Sequence, residues 1–253
     1  MNRIARNSAN RIARSSATVV LLVLFLTGPL LAAGPPDLRY EYRRHHDPDG
    51  IGKFYMDREI AWVMSYHGAG WLERPERVKE ERTDKLLKLL PLKPGMTVVD
   101  MGAGSGYHSF PIAKKVGPKG KVIAVDIQKE MLDIIKRRKK VLEVTNVEPV
   151  LGKIDDPGLE PESVDLILMV DVYHEFSHPY EMTKKMVEAL KPGGILAFVE
   201  FRLEDPNVPI KRVHKMSEKQ VLKEMKPHPL KHLKTHTSLP WQHLILFEKI
   251  PSK

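Results

Sequence analysis

Asp100-Met101-Gly102-Ala103-Gly104-Ser105-Gly106 follows the apolar run Thr97-Val98-Val99, and a second acid, Asp126, closes the next apolar run, Val122-Ile123-Ala124-Val125. A strand that ends in a carboxylate and opens into a glycine-rich turn lets backbone approach a ligand at the N-terminal end of the following helix. A dinucleotide fingerprint needs Gly-x-Gly-x-x-Gly. Gly102 and Gly104 satisfy its first two places, but Tyr107 stands at the third and would crowd a helix–strand contact. The charge on Asp100 would repel a pyrophosphate and suits a ligand with a positive amine. A nicotinamide oxidoreductase is accordingly the weakest reading of this turn.

Strands and helices alternate on either side of it. Strands are predicted at Thr97–Met101, Lys121–Val125, Pro149–Leu151, Val164–Val170 and Ile195–Phe201, the last entered through a Pro192-Gly193-Gly194 turn. Helices are predicted at Tyr107–Val116, Lys129–Lys140 and Pro179–Leu190. The near-continuous apolar run of Val164–Val170 suits a strand buried on both faces. Such alternation implies an α/β, doubly wound, mostly parallel sheet with helices on both faces. Ser217 and Gln220 read as a capping box opening a further helix. Segments 232–237 and 243–250, joined by Ser238-Leu239-Pro240, are expected to form a terminal antiparallel strand pair. Upstream, Pro75 can occupy the first turn of a helix that carries Leu86, Leu89 and Leu90 and stops before Pro91.

The chain has 253 residues, 42% apolar and 29% charged, enough for one sizeable domain. It contains no cysteine, which excludes disulfides, thiolate metal sites and a cysteine nucleophile. Arg3, Arg6, Arg11 and Arg14 precede the apolar stretch from Val19 to Leu26, and Leu31-Ala32-Ala33 offers small residues after the Gly28-Pro29 break. Residues 1–34 therefore read as a signal peptide or an N-terminal anchor, placing the domain outside the cytoplasm. A mitochondrial presequence is the alternative. Residues 35–50 read as a polar linker, 51–74 as an N-terminal helical cap segment, and 75–253 as the main domain.

The net charge is +9, and the N-terminal arginines account for four of those charges. The run Lys136-Arg137-Arg138-Lys139-Lys140 falls at a predicted helix end, where cations suit the helix dipole, and has no interleaved aromatics. No nucleic-acid partner is expected. His45-His46-Asp47, beside Pro48 and Gly50, reads as a polar loop, and no metal site is expected. The oligomeric state is not legible.

Four stretches in order, Val98 to Gly106, Val122 to Asp126, Asp165 to Asp171, and Leu190-Lys191-Pro192-Gly193-Gly194, resemble the class I S-adenosylmethionine-dependent methyltransferases. The likeness spans roughly residues 75 to 250 and has the character of the small-molecule, type 11 or quinone-methylase-like group. It implies a seven-stranded Rossmann-like sheet and S-adenosylmethionine as cofactor. It further implies that Asp100 holds the methionine ammonium, directly or through water, that Gly102, Ala103, Gly104 and Gly106 line the cofactor, and that Asp126 accepts from both ribose hydroxyls. Ile127 would pack on adenine. Asp155 would accept from the adenine amino group, although the place directly after the glycine, where an acid is commoner, holds Lys153. Asp171 would border the methionine part and the acceptor.

The reaction implied is in-line methyl displacement to a small-molecule acceptor, in which the protein chiefly aligns the reactants and excludes water. His174 and Glu175 are the candidate general base pair. Tyr55, Met56, His67, Trp71 and Tyr107 are candidate pocket walls, each equally suited to core packing. Absence of cysteine removes a thiol-based arsenite mechanism, and Asp171-Val172-Tyr173-His174 lacks the Asp/Asn-Pro-Pro-Tyr of amide and adenine methylases. A protein isoaspartate-type methyltransferase and a non-catalytic SAM-fold binding module stand as alternatives. Membrane association is expected only through the N-terminal segment.

Overall fold

The strand-to-turn unit at residues 97–106 sits in the middle of a large sheet in the computed structural model, which describes residues 39–251. In chain order the elements are β1 (Tyr40–Tyr42), β2 (Gly50–Tyr55), β3 (Arg58–Ala61), α1 (Ala69–Leu72), α2 (Arg77–Glu80), α3 (Thr83–Leu89), β4 (Thr97–Met101), α4 (Ser109–Val116) and β5 (Lys121–Asp126). They continue as α5 (Lys129–Val141), β6 (Val147–Leu151), β7 (Val164–Val170), α6 (Pro179–Ala189), β8 (Leu190–Phe201), α7 (Glu218–Met225), β9 (Leu230–His236) and β10 (Gln242–Lys249). Short 3-10 turns cover Tyr66–Gly68, Tyr173–Glu175 and Arg212–His214.

Seven strands form one sheet in the order β6-β5-β4-β7-β8-β10-β9. The first five run parallel, and β10 lies antiparallel between β8 and β9. The expected architecture, including the terminal antiparallel pair, is the observed one. Side-chain alternation divides the core into two layers. Val98, Val122, Leu166 and Leu168 face Leu86 of α3, Ile112 of α4 and Ile135 of α5. Val99, Ile167, Met169 and Phe198 face Met182 and Met186 of α6 and Val221 and Met225 of α7. The strand order reverses at β4, whose neighbours β5 and β7 leave on opposite sides, so a crevice opens at their C-terminal ends.

Three local expectations are corrected. The segment 51–74, expected to be helical, begins with β2 and β3, which pair antiparallel with each other and with β1. Met56 and Asp57, with φ of 47° and 70°, make the two-residue hairpin turn; two successive residues in the left-handed region give a turn whose twist matches the right-handed twist of the strands. Helix enters this segment only at Tyr66–Gly68 and α1. β1 likewise lies within the expected linker, 35–50. The single helix expected after Pro75 is broken into α2 and α3 by Arg82 at φ 49°. Finally, Pro192-Gly193-Gly194 lies inside β8 rather than before it; the register with β7 shifts between Val164 and Leu166, and a bulge absorbs the extra residues.

The small N-terminal sheet is tied to the main body by buried polar bonds. Arg58 forks onto Glu224 of α7 with 2.7 and 2.9 Å contacts, and Lys53 Nζ donates to the carbonyl of Ser177 at 2.6 Å. The Tyr40 hydroxyl donates to Glu181. Residues 1–34, read as a signal peptide or anchor, lie outside the described residues. Among the described residues no helix is long and apolar enough to cross a membrane.

Candidate functional site

Beyond β4 the chain turns sharply at Gly102, where φ is +66° and an added Cβ would stand 2.3 Å from Cγ2 of Val172. Only glycine fits that backbone against the loop after β7. The next residues are laced to β5. Ala103 N–H donates to the Val125 carbonyl at 2.9 Å, and Gly104 N–H donates to Asp126 Oδ2 at 2.9 Å. Gln128 N–H donates to Asp126 Oδ1 at 2.8 Å. Two backbone donors thus fix the carboxylate plane at the strand tip, and each oxygen retains a lone pair for a further donor. Burial raises the Asp126 carboxyl, and the backbone donors oppose that rise.

A cavity of about 390 Å³ opens over this strand tip, within the usual size range of ligand sites. Gly102, Gly104, Asp126, Ile127 and Asp171 reach it, as do His174 and Glu175. Its walls are largely apolar, with Val63, Met64, Trp71, Met131, Met182 and Phe201 among them. Of the other candidate walls, Tyr55 is buried core, and Met56, His67 and Tyr107 do not line it.

Several candidate residues land elsewhere. Asp100 is buried but is not brought to the cavity wall; its Oδ2 accepts from the Ser109 hydroxyl at the start of α4. Burial lifts its carboxyl to about 6, against opposing pulls from Ser109 and Arg77. Ala103 and Gly106 also lie off the cavity wall. At Gly106, with φ +80°, a Cβ would meet Phe110 at 2.9 Å and Ile135 at 3.1 Å, so this glycine serves helix packing. Asp155 is exposed and off the cavity, whose wall is formed there by Lys153 and Ile154. The segment is a turn, with Lys153 N–H donating to the Asp156 carbonyl and Gly158 N–H to the Asp156 carboxylate, each at 2.8 Å.

Asp171 follows β7 with φ +52°. Its Oδ2 accepts from Gln242, while Oδ1 is buried without a partner among the described residues. Burial, then the charges of Glu81 and Glu200, hold this carboxyl well above the ordinary range, with Arg77 opposing them. An orphaned buried oxygen at a cavity wall is a place for a ligand donor.

At the far end lies a polar cluster. His174 is buried, and its Nδ1 lies 2.7 Å from Oε2 of Glu200, at the end of β8. Its Nε2 lies 3.2 Å from Nδ1 of His214. Burial lowers the His174 imidazole, but the charge and hydrogen bond of Glu200 outweigh it and leave the group raised. His214 is lowered to about 4 by burial and by His174. Glu175 is lifted to about 7 by burial. The Met64 N–H donates to Glu175 Oε1 at 3.0 Å, and Gln128 Nε2 donates to the Met64 carbonyl at 2.9 Å. A strap around Met64 is therefore pinned both to the turn after β7 and to the start of α5, and Val63 and Met64 of this strap line the cavity.

Sequence reading missed Glu200, His214, Arg77 and Gln128. Arg77 is buried beside the cavity, donating to Glu81 at 2.6 Å and to the Leu72 carbonyl at 2.9 Å. Glu200 carried one clue, an acid ending an apolar strand as Asp126 does. His214, on a short turn in a basic stretch, carried none.

A family model described as "Methyltransferase domain" matches residues 92–245. A SAM-dependent methyltransferase from Aquifex aeolicus superposes with a TM-score of 0.70 at 26% identity, over 74% of this chain and all of that one. The chain is also similar to a demethylmenaquinone methyltransferase of Oceanobacillus iheyensis, 30% identical over 125 residues, 49% of this chain and 52% of the relative. It is 33% identical to an arsenite methyltransferase of Halobacterium salinarum over 106 residues, 42% of this chain and 27% of the relative. These matches span between about a quarter and a half of the curated relatives' length.

Proposed function

The chain belongs to the class I S-adenosylmethionine-dependent methyltransferases, and from that premise we propose that it moves a methyl group to a small apolar acceptor of the quinol or phenol class. The observation that carries this reading is that one cavity holds both the oriented carboxylate of Asp126 and the polar His174–His214–Glu175 cluster. Asp126, with the Gly102–Gly104 backbone, suits the ribose side of the cofactor. The apolar wall at Ile127 suits the base, and the orphaned oxygen of Asp171 suits the methionine side. When bound, S-adenosylmethionine supplies an electrophilic methyl on a sulfonium.

The chain's own residues then align the partners and keep water out. The Met64 strap and Phe201 shield the acceptor end. His174, oriented by Glu200 through Nδ1 and paired through Nε2 with His214, lines the cavity, so a proton leaving an acceptor hydroxyl would pass to this His174–His214 pair. The acceptor class is inferred from the apolar walls and from the menaquinone relative's name. The arsenite of the other relative is not carried over, because the chain has no cysteine for thiol chemistry.

The full chain, incubated with methyl-labelled S-adenosylmethionine and a panel of hydroquinones and catechols, should yield labelled ether or ring-methylated product with S-adenosylhomocysteine. Stabilisation by the cofactor without transfer to any acceptor would favour a non-catalytic binding module. Stabilisation by NAD alone would reject the reading. We also propose that residues 1–34 export or anchor the domain; cell fractionation that recovers it solely in the cytosol would contradict this.

A further inference from the structure

We propose that His174, His214 and Glu175 bind a divalent transition-metal ion of the zinc class at the acceptor end of the cavity, a site that the sequence does not reveal. One ligand atom from each residue can be chosen so that all lie within 4.8 Å of one another. The imidazole nitrogens, His174 Nε2 and His214 Nδ1, are 3.2 Å apart. Two nitrogens bound tetrahedrally at the usual zinc–nitrogen distance lie roughly 3.3–3.4 Å apart. The pair is already at ligand spacing.

The surroundings match what a metal site needs beyond its ligands. Ligating histidines commonly give their other ring nitrogen to a carboxylate, which fixes ring and tautomer. Glu200 does this for His174 at 2.7 Å, and is itself fully buried and held by the Tyr173 N–H at 3.0 Å. Glu175 is held by the Met64 N–H. Two histidines and one carboxylate leave coordination positions open, and all three side chains line the cavity. An oxygen filling an open position, from water or from an acceptor hydroxyl, would release its proton to solvent more readily than when free. That use of the ion rests on the methyltransferase reading; the binding of the ion does not.

Titration of the metal-free full chain with Co²⁺, with no methyl donor present, tests the site. One ion per chain should bind with visible ligand-field absorption, and Zn²⁺ should bleach it. His214→Ala and Glu175→Gln should each weaken binding beyond the roughly 10–100-fold that outer-shell partners command. Undiminished uptake in both variants, or no uptake by the wild type at millimolar Co²⁺, overturns the proposal and leaves the His174 ring as a proton acceptor in place of a metal ligand. In the wild type itself, zinc X-ray absorption should show two imidazoles per ion, and a spectrum with one or none also overturns it. Because no methyl donor is present, failure here is separable from failure of the methyltransferase reading.

Discussion

The backbone N–H of Gly104 donates to Oδ2 of Asp126 across 2.9 Å, joining the glycine turn after β4 to the acid that ends β5. The bond makes turn and carboxylate one unit, so the acid is positioned before any ligand arrives. Asp126→Ala removes the acceptor for ribose hydroxyls and leaves the Gly104 and Gln128 N–H groups without their partner. Cofactor affinity should fall by about 1–3 kcal/mol, or about 5- to 150-fold, in calorimetric titration. Unchanged affinity would remove Asp126 from the site.

Gly102→Ala should be worse for binding than its size suggests. The new methyl group meets Val172 Cγ2 at 2.3 Å on a backbone with φ +66°. Either the turn or the loop carrying Val172 and Asp171 must shift, and both line the cavity. The double variant Gly102→Ala with Val172→Ala should recover part of the lost affinity, because the clash is relieved while the φ strain persists. No recovery would show that crowding is not the cause.

Arg58 and Glu224 make the buried ion pair that joins the N-terminal sheet to α7. Glu224 is fully buried and also accepts from the Tyr173 hydroxyl at 2.9 Å. Arg58→Met would strand that carboxylate, with an expected loss of about 3–5 kcal/mol in denaturant unfolding. Adding Glu224→Gln should restore part of it. A loss under about 1 kcal/mol would mean that the small sheet contributes little to the fold.

Asp100 gives a pH signature. Its carboxyl is raised from 3.8 to about 6 in the folded chain. Below pH 4 it is protonated in both states and carries no penalty. Between about pH 4 and 6 the unfolded chain releases the proton and the folded chain keeps it, so stability falls as pH rises. Above that window the loss is complete, at about 2–3 kcal/mol. Asp100→Asn should flatten this decline relative to wild type and, since Asp100 is off the cavity wall, should weaken cofactor binding less than Asp126→Ala. Parallel stability curves for the two proteins would contradict the raised carboxyl.

The central strands of the sheet were legible because they carry apolar runs bounded by turn residues, as Val164–Val170 does. The N-terminal sheet was not, because its hairpin turns on Met56 and Asp57, with methionine at the first positive-φ place and no glycine at the second, where such turns commonly carry Asn-Gly or Asp-Gly. Arg82 hid a helix break in the same way. At the site, Asp126 was legible as an acid at a strand tip beside a glycine turn. Asp100 was legible in the same way, but its hydrogen bond from Ser109, nine residues on, was not. The His174–Glu200–His214 chain was invisible because its members are separated by 26 and 40 residues from His174 and meet only through the order of β7 and β8 in the sheet.

The most direct measurement is a crystal structure of the full chain with S-adenosylhomocysteine. The ribose hydroxyls should lie within hydrogen-bond distance of Asp126, with the sulfur facing the end of the cavity that holds His174. A nucleoside seated away from Asp126, or a cavity that stays empty at saturating ligand, would contradict the account.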